Sequence, residues 1–227
     1  MTNKNDSELL NIHTFNIDET NREVYLHSYT DPTGEDEPGV EYRCAINLEK
    51  NLRYLDTLSL EPIVVHMHLP GGHWEDAMGI YDSIKLCKSR VCILAYSKAE
   101  SASSVILQSA DLRILMPNTY VLIHYGSFGL SETDHSKTAL SNVQWNDKES
   151  DKMVNIFTEK CMESELVKSK NWKKMITKKH IISQMSNRGD WILTADEAVY
   201  YGFADGILGT KKFPNIDYIK TYMKKNK

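Results

Sequence analysis

The spacing of apolar positions alternates between strand-like and helix-like from residue 61 onward. The run IVVHMHL at 63–69 is followed by a Pro-Gly-Gly turn, by apolar positions at helical spacing, and by a second apolar run at 90–96. Short apolar runs of this kind are typical of strands buried on both faces. A strand, a helix and a strand within about 35 residues predict a βαβ unit, and hence a parallel sheet.

The same reasoning extends to the rest of the chain. Alternation at 23–28 predicts a strand, and residues 98–110, rich in small side chains, predict a tightly packed helix. Gly, Pro and acidic residues at 31–43 predict an exposed loop. The other predicted elements are a helix at 46–58, strands at 112–116 and 119–124, helices at 137–168 and 172–185, an extended segment at 190–194 and a helix at 195–201.

A length of 227 residues suits one full-sized domain, which we place at 21–209. The polar segment 1–20 is expected to be flexible, and the Lys-rich segment 210–227 is expected to be a loosely held tail.

Composition narrows the classes of partner. Lys and Arg number 27 against 31 Asp and Glu, a net charge of −4, which argues against a nucleic-acid binder and gives no reason to expect a membrane. The chain has no run of 18 apolar residues and no apolar core of signal-peptide length near residue 1. Four cysteines without metal-type spacing predict reduced, mostly buried thiols, and we expect a cytoplasmic protein.

The first candidate functional segment is the turn Pro70-Gly71-Gly72, which lies between a predicted strand and a predicted helix. Glycines there free backbone N–H groups to hold a phosphate or an oxyanion, although most such turns are only turns. Ser101 lies near the start of the small-residue segment, where N–H groups at a helix N-terminus favour negative charge. A serine there also serves as an N-cap, and Ser103 and Ser104 compete for any catalytic role.

Histidines offer a further set of candidates. His124 ends the apolar strand YVLIH, a position more often structural than catalytic. His66 and His68 lie two apart on a strand and so share a face, and His73 follows closely. No convincing third ligand with ordered partners accompanies them, so we predict no metal site and no cofactor.

Several segments, taken in order, resemble the Clp protease proteolytic subunit (ClpP) family, including phage ClpP-like head-maturation proteases. They are Pro-Gly-Gly, A-x-S-A-S-S-V-I from Ala99, MPNTYVLIH from Met116 and TADEAVYYGFADGIL from Thr194. The resemblance spans about residues 63–208. It implies an α/β fold of the ClpP/crotonase type, with repeated ββα units and a projecting helical handle formed by the long helix.

The resemblance also implies a serine endopeptidase. The family's nucleophile falls on Ser101, its histidine on His124 and its aspartate on Asp190, and the backbone N–H groups of Gly71 and Ala102 fall where its oxyanion hole lies. Polypeptides would be the substrates, cut inside a homo-oligomeric ring or stacked rings. Whether an AAA+ unfoldase is a partner stays open.

Departures from the family pattern keep two alternatives open. Leu69 and His68 replace a serine and an asparagine, Glu100 replaces a small residue beside the nucleophile, and Gly189 separates Arg188 from Asp190. The first alternative is a catalytically inactive ClpP-like scaffold subunit. The second is a crotonase-type acyl-CoA enzyme, which shares the fold but uses no serine nucleophile.

Overall fold

The computed structural model describes residues 4–28, 39–127, 129 and 135–226. The helices are α1 (Lys4–Phe15), α2 (Tyr42–Leu58), α3 (Trp74–Leu86), α4 (Ala102–Leu107), α5 (Ser136–Cys161), α6 (Glu165–Lys170), α7 (Lys174–Arg188), α8 (Ala195–Tyr200) and α9 (Ile216–Lys225). The strands are β1 (Ile17–Asp18), β2 (Glu23–His27), β3 (Ile63–Leu69), β4 (Val91–Glu100), β5 (Leu112–Leu115), β6 (Tyr120–Ile123), β7 (Trp191–Leu193) and β8 (Gly206–Ile207).

The strands of the described residues form one eight-stranded sheet in the order β1-β2-β3-β4-β5-β8, with β6 and β7 on a branch. Strands β2 to β5 and β8 pair in parallel, as the βαβ pattern predicts. The branch arises in β4, which pairs with β5 through Cys92–Ala95 and with β6 through Lys98–Glu100. Ser97, with φ of 56°, lies between the two paired segments. The long strand β4 therefore carries the chain from the main sheet to the branch.

Residues of the central strands alternate between two apolar layers. Val65 and Ile93 belong to the larger core, which includes buried side chains of α2, α3, α4 and α5. Val64 and Leu94 belong to a smaller core with Ile219 and Met223 of α9. Because successive side chains of a strand point to opposite faces, continuous apolar runs such as IVV are needed wherever both faces are covered.

Both chain ends contain a helix that the sequence pattern does not predict. Residues 4–15, within the segment expected to be flexible, form α1. The expected loose C-terminal tail contains α9, whose Ile219 and Met223 are fully buried against the sheet. Lysines dominate the composition of this segment, and Lys224 and Lys225 are exposed on α9, while its apolar positions recur at helical spacing. The predicted loop at 31–43 lies largely outside the described residues.

Two helices also have bounds that differ from the predicted ones. The helix expected at 98–110 is shortened to α4 because β4 continues through Glu100. The helix expected at 137–168 is divided into α5 and α6, and Ser164 caps α6. Gly202, with φ of 76°, lies against this break, since a Cβ there would be 2.9 Å from both the Lys160 carbonyl oxygen and the Ser164 Cβ.

Helix α5 is the projecting element. Its 26 residues would span about 39 Å at 1.5 Å per residue. Only its C-terminal half is anchored, through buried Met153, Val154 and Phe157. The N-terminal half leaves Leu140 58% and Trp145 56% exposed. No helix formed by the described residues combines the length and apolar character needed to cross a bilayer.

All four cysteines are unpaired, and Cys44, Cys92 and Cys161 are buried. Burial raises the pKa of the Cys44 thiol to about 11 and is also the main reason why the pKa of Cys87 is raised to about 12. Thiols of this kind are unreactive structural side chains. Three of the four cysteines are buried, as predicted.

Candidate active site

Ser101 occupies a sharp turn between β4 and α4. Its φ of 51° and ψ of −124° are unusual for a residue with a side chain. The turn is fixed by neighbours: the Ser101 N–H donates to the Leu122 carbonyl at 2.9 Å, and the Ser104 N–H and hydroxyl donate to the Ser101 carbonyl at 3.0 and 2.6 Å. Strained conformations held by surrounding structure cluster at functional sites.

His124 and Asp190 are brought together by the pairing of β6 with β7. These strands are antiparallel with Ile123 opposite Trp191, so the next position along β6 meets the preceding position of β7. His124 Nδ1 lies 3.0 Å from Asp190 Oδ1, and its Nε2 lies 2.8 Å from Ser101 Oγ. The three side chains thus form one continuous hydrogen-bonded chain.

The glycine before Asp190 has a local structural reason. Gly189 ends α7 with φ of 71°, and its N–H donates to the Met185 carbonyl at 2.9 Å. A left-handed residue at this position lets the chain leave the helix and enter β7 directly. The Gly189 insertion therefore accompanies the turn that delivers Asp190 to His124.

The two other aspartates near the end of the domain, Asp196 and Asp205, have separate surroundings. Asp205 forms a two-point pair with the Arg113 guanidinium, at 2.6 and 3.0 Å, and also accepts from the Arg113 N–H. Asp196 lies in the first turn of α8, where a carboxylate suits the helix dipole. Of these three aspartates, only Asp190 contacts His124.

Gly71 brings its backbone against the serine turn. Its φ is 105°, and a Cβ built there would be 2.8 Å from the Ser101 Cβ and 2.9 Å from the Glu100 carbonyl oxygen. The loop is held by a bridge between Val40 and Gly72 and by the Val40 N–H, which donates to the Gly71 carbonyl. Ala102 opens α4, so its N–H has no carbonyl one turn earlier in the helix.

The residues that depart from the family pattern do not disturb this geometry. Glu100 accepts a hydrogen bond from the Tyr120 hydroxyl and lies 4.0 Å from the Lys98 ammonium. This hydrogen bond is the main reason why the pKa of Tyr120 is raised. Leu69 is fully buried and pairs with Ala99. The carboxylate next to Ser101 is thus engaged elsewhere.

The histidines of β3 have partners within the sheet. His66 Nε2 lies 2.9 Å from Glu23 Oε2, and its Nδ1 lies 2.9 Å from the Tyr96 hydroxyl. His68 stacks on Tyr96 with ring centroids 4.3 Å apart, and burial lowers its pKa. Within the described parts of the chain, no three His, Cys, Asp or Glu residues are grouped as a metal site.

A cleft of about 490 Å³ opens in front of Ser101 and His124. Its far wall comes from one face of α5, and its near wall from Ala102, Val105 and the start of α3. The α5 residues that line it are Asn146, Glu149, Ser150 and Met153. Sequence reasoning assigned no site role to these residues, although their i, i+3, i+4, i+7 spacing marks a single helix face.

The family model described as Clp protease matches residues 38–211, and the chain belongs to that family. It is 27% identical over 180 residues to an ATP-dependent Clp protease proteolytic subunit 2 of Pseudomonas aeruginosa, covering 77% of this chain and 79% of the relative. It is 27% identical over 169 residues to a subunit 1 of Chlamydia abortus, covering 73% of this chain and 80% of the relative.

Solved structures agree on the fold. A mutant ClpP1 from Listeria monocytogenes superposes with a TM-score of 0.63 at 19% identity, covering 86% of this chain and 95% of that one. The predicted family and the ClpP-type α/β fold are confirmed. Family membership supports a serine protease function.

Proposed function

We propose that this chain is a serine endopeptidase that hydrolyses peptide bonds through Ser101, His124 and Asp190. The observation that carries the proposal is the unbroken contact chain from Asp190 Oδ1 to His124 Nδ1, at 3.0 Å, and from His124 Nε2 to Ser101 Oγ, at 2.8 Å. A nucleophile, a base and a group that orients the base, each within hydrogen-bond reach of the next, define this chemistry.

The reaction proceeds in two steps, acylation of Ser101 and hydrolysis of the acyl-enzyme. His124 Nε2 accepts the Ser101 hydroxyl proton as Oγ attacks the substrate carbonyl, and it then passes that proton to the leaving amine, which gives an acyl-enzyme. In deacylation, His124 takes a proton from water as its oxygen attacks the ester carbonyl. The bond between the acyl carbon and Ser101 Oγ then breaks, His124 returns the proton to Oγ, and the carboxylic acid product leaves. Asp190 holds the Nδ1–H tautomer and stabilises the imidazolium. The N–H groups of Gly71 and Ala102 stabilise the oxyanion, each by about 3–4 kcal/mol.

The inactive-scaffold alternative rested on Glu100, Leu69 and the region around Asp190. Glu100 is bonded to Tyr120 and near Lys98, Leu69 fills the core, and Gly189 forms the turn before Asp190. None of these features favours inactivity. A crotonase-type enzyme uses no serine nucleophile, so the hydrogen bond between Ser101 and His124 does not favour that alternative. A fluorophosphonate probe tests all three readings: covalent labelling at Ser101 supports the peptidase, and an unlabelled, folded protein contradicts it.

Gly71 provides a direct test of the oxyanion hole. Gly71→Ala is expected to lower kcat/KM for peptide hydrolysis at least about 100-fold, because the new Cβ pushes on Ser101 and moves the N–H donor. Gly79→Ala is the matched control, since a Cβ in that α3 position meets nothing within 4 Å. The control should keep full activity, and a Gly71→Ala enzyme with full activity contradicts the assignment.

We further propose that the active sites face the interior of a homo-oligomeric ring or stacked rings in the cytoplasm. The relatives are named as subunits of ATP-dependent proteases, while the need for an AAA+ unfoldase here stays open. The exposed apolar side chains of the α5 handle, Leu140, Val143 and Trp145, support self-association, because exposed apolar side chains grouped on one helix favour a contact with another chain. Unpaired thiols fit a reducing compartment.

Sedimentation velocity tests the assembly. The wild-type chain is expected to sediment as a stable oligomer at micromolar concentration, and the double variant Leu140→Ser, Trp145→Ser is expected to shift toward smaller species. Asp147→Ser on the same helix removes no apolar surface and should sediment as wild type. A wild-type monomer contradicts the chamber, although it leaves the triad chemistry intact.

A further inference from the structure

The cleft in front of Ser101 carries an uncompensated negative charge. Glu149 of α5 and Glu75 of α3 both line it, and none of its described lining residues is Lys or Arg. His73, which also lines the cleft, has Nδ1 3.4 Å from Asp76 Oδ2. No ion pair to Glu75 or Glu149 is made within the described ranges of the chain. Both carboxylates therefore lack a neighbouring cation among the described residues that line the cleft.

Glu149 lines the cleft from α5, one turn after Trp145. Its Oε1 is buried and has no hydrogen-bond partner among the described residues. Burial, with a smaller contribution from the charge of Glu75, raises the pKa of Glu149. An unsatisfied buried carboxylate oxygen is costly unless a donor reaches it, and a cationic group supplies both donor and charge.

The cleft also has apolar walls. Ala102, Val105 and Met153 line it together with the polar side chains of Asn146 and Ser150, and Met153 is buried. Apolar walls beside a carboxylate match a side chain that has an aliphatic stem and a cationic head. A purely apolar side chain would leave Glu149 Oε1 without a partner, and an acidic one would add a third negative charge.

We propose that this cleft selects a lysine or arginine side chain on the residue that supplies the scissile carbonyl, with Glu149 as the main determinant and Glu75 as a second charge. This inference rests on the proposed function, because the nucleophile and base at the mouth of the cleft define which substrate residue enters it. Glu149 is a specificity residue and takes no part in proton transfer.

Binding measurements separate this inference from the peptidase itself. Ser101→Ala protein is titrated with two peptides that differ at one position, lysine against norleucine, which has the same aliphatic stem without the ammonium. We expect the lysine peptide to bind about tenfold more tightly, the effect of one hydrogen-bonded charge pair. Adding Glu149→Gln should remove that ratio while leaving norleucine affinity within about twofold.

Asp151→Asn is the matched control, because Asp151 lies on the same helix, outside the cleft, with Oδ1 3.5 Å from the Lys178 ammonium. It should preserve the lysine preference. Equal affinity for the two peptides, absence of binding by both, or a preference that survives Glu149→Gln overturns the inference. Hydrolysis of any peptide by the wild-type enzyme tests the proposed function independently of these outcomes.

Discussion

Ser101→Ala is expected to abolish peptide hydrolysis, with a fall in kcat on the order of 10⁶-fold. The hydroxyl is the only group of Ser101 that can form the acyl-enzyme, and His124 Nε2 lies 2.8 Å from it. The folded state should be unaffected, because the Ser101 side chain makes no capping hydrogen bond to α4 and the turn is held through its backbone. Hydrolysis of a short unstructured peptide and fluorophosphonate labelling followed by intact-mass measurement give the readout.

Ser103→Ala is the matched control in the same segment. Ser103 is fully buried, and its hydroxyl has no hydrogen-bond partner among the described residues, so its removal should leave both activity and unfolding temperature close to wild type. Loss of activity in Ser103→Ala together with a fully active Ser101→Ala would place the nucleophile two residues away and refute the triad.

Asp190→Asn is expected to lower kcat about 10⁴-fold with little change in thermal stability. The asparagine amide can donate to His124 Nδ1 and so favour the wrong tautomer, in which Nε2 carries the proton and cannot accept one from Ser101. The Asp190 side chain is 61% exposed, so its replacement should cost little folding free energy. Steady-state kinetics and thermal unfolding on the same preparations separate the two effects.

Asp196→Asn serves as the comparison, because this carboxylate lies in the first turn of α8. Its loss should lower the free energy of unfolding by about 0.3–1 kcal/mol and leave kcat unchanged. Near-full activity in Asp190→Asn would show that another residue, or none, orients His124.

The order and type of the elements could be read from the sequence because they depend on local periodicity. Buried parallel strands appear as apolar runs, and βαβ connections require helices between them. The errors fall where a local pattern has two solutions. Small residues after Lys98 suit a helix, but pairing with β6 keeps that segment extended through Glu100. Lysines at the C-terminus suggested a tail, but the sheet offers an apolar face that α9 covers.

The candidate site, like the fold, could be predicted from the sequence only in part. Sequence supplied the candidate residues Ser101, His124 and Asp190, with the glycine turn, because their types and order resemble those of a family. It left three serines in competition, since hydroxyls are also good helix caps. The structure brings only Ser101 and Asp190 into contact with His124, through the β4–α4 turn and the β6–β7 register.

What the sequence determined by itself was therefore the set of elements, their order along the chain, and the chemical groups available near three strand ends. Only the tertiary structure decided which of those groups meet, that Glu100 accepts a hydrogen bond from Tyr120, and that Glu149, 48 residues beyond Ser101, lines the cleft. The physical reason is the sequence distance over which each interaction acts. Periodicity and capping act over a few neighbouring residues, whereas hydrogen bonds across strands and packing of a distant helix depend on how the whole sheet is assembled.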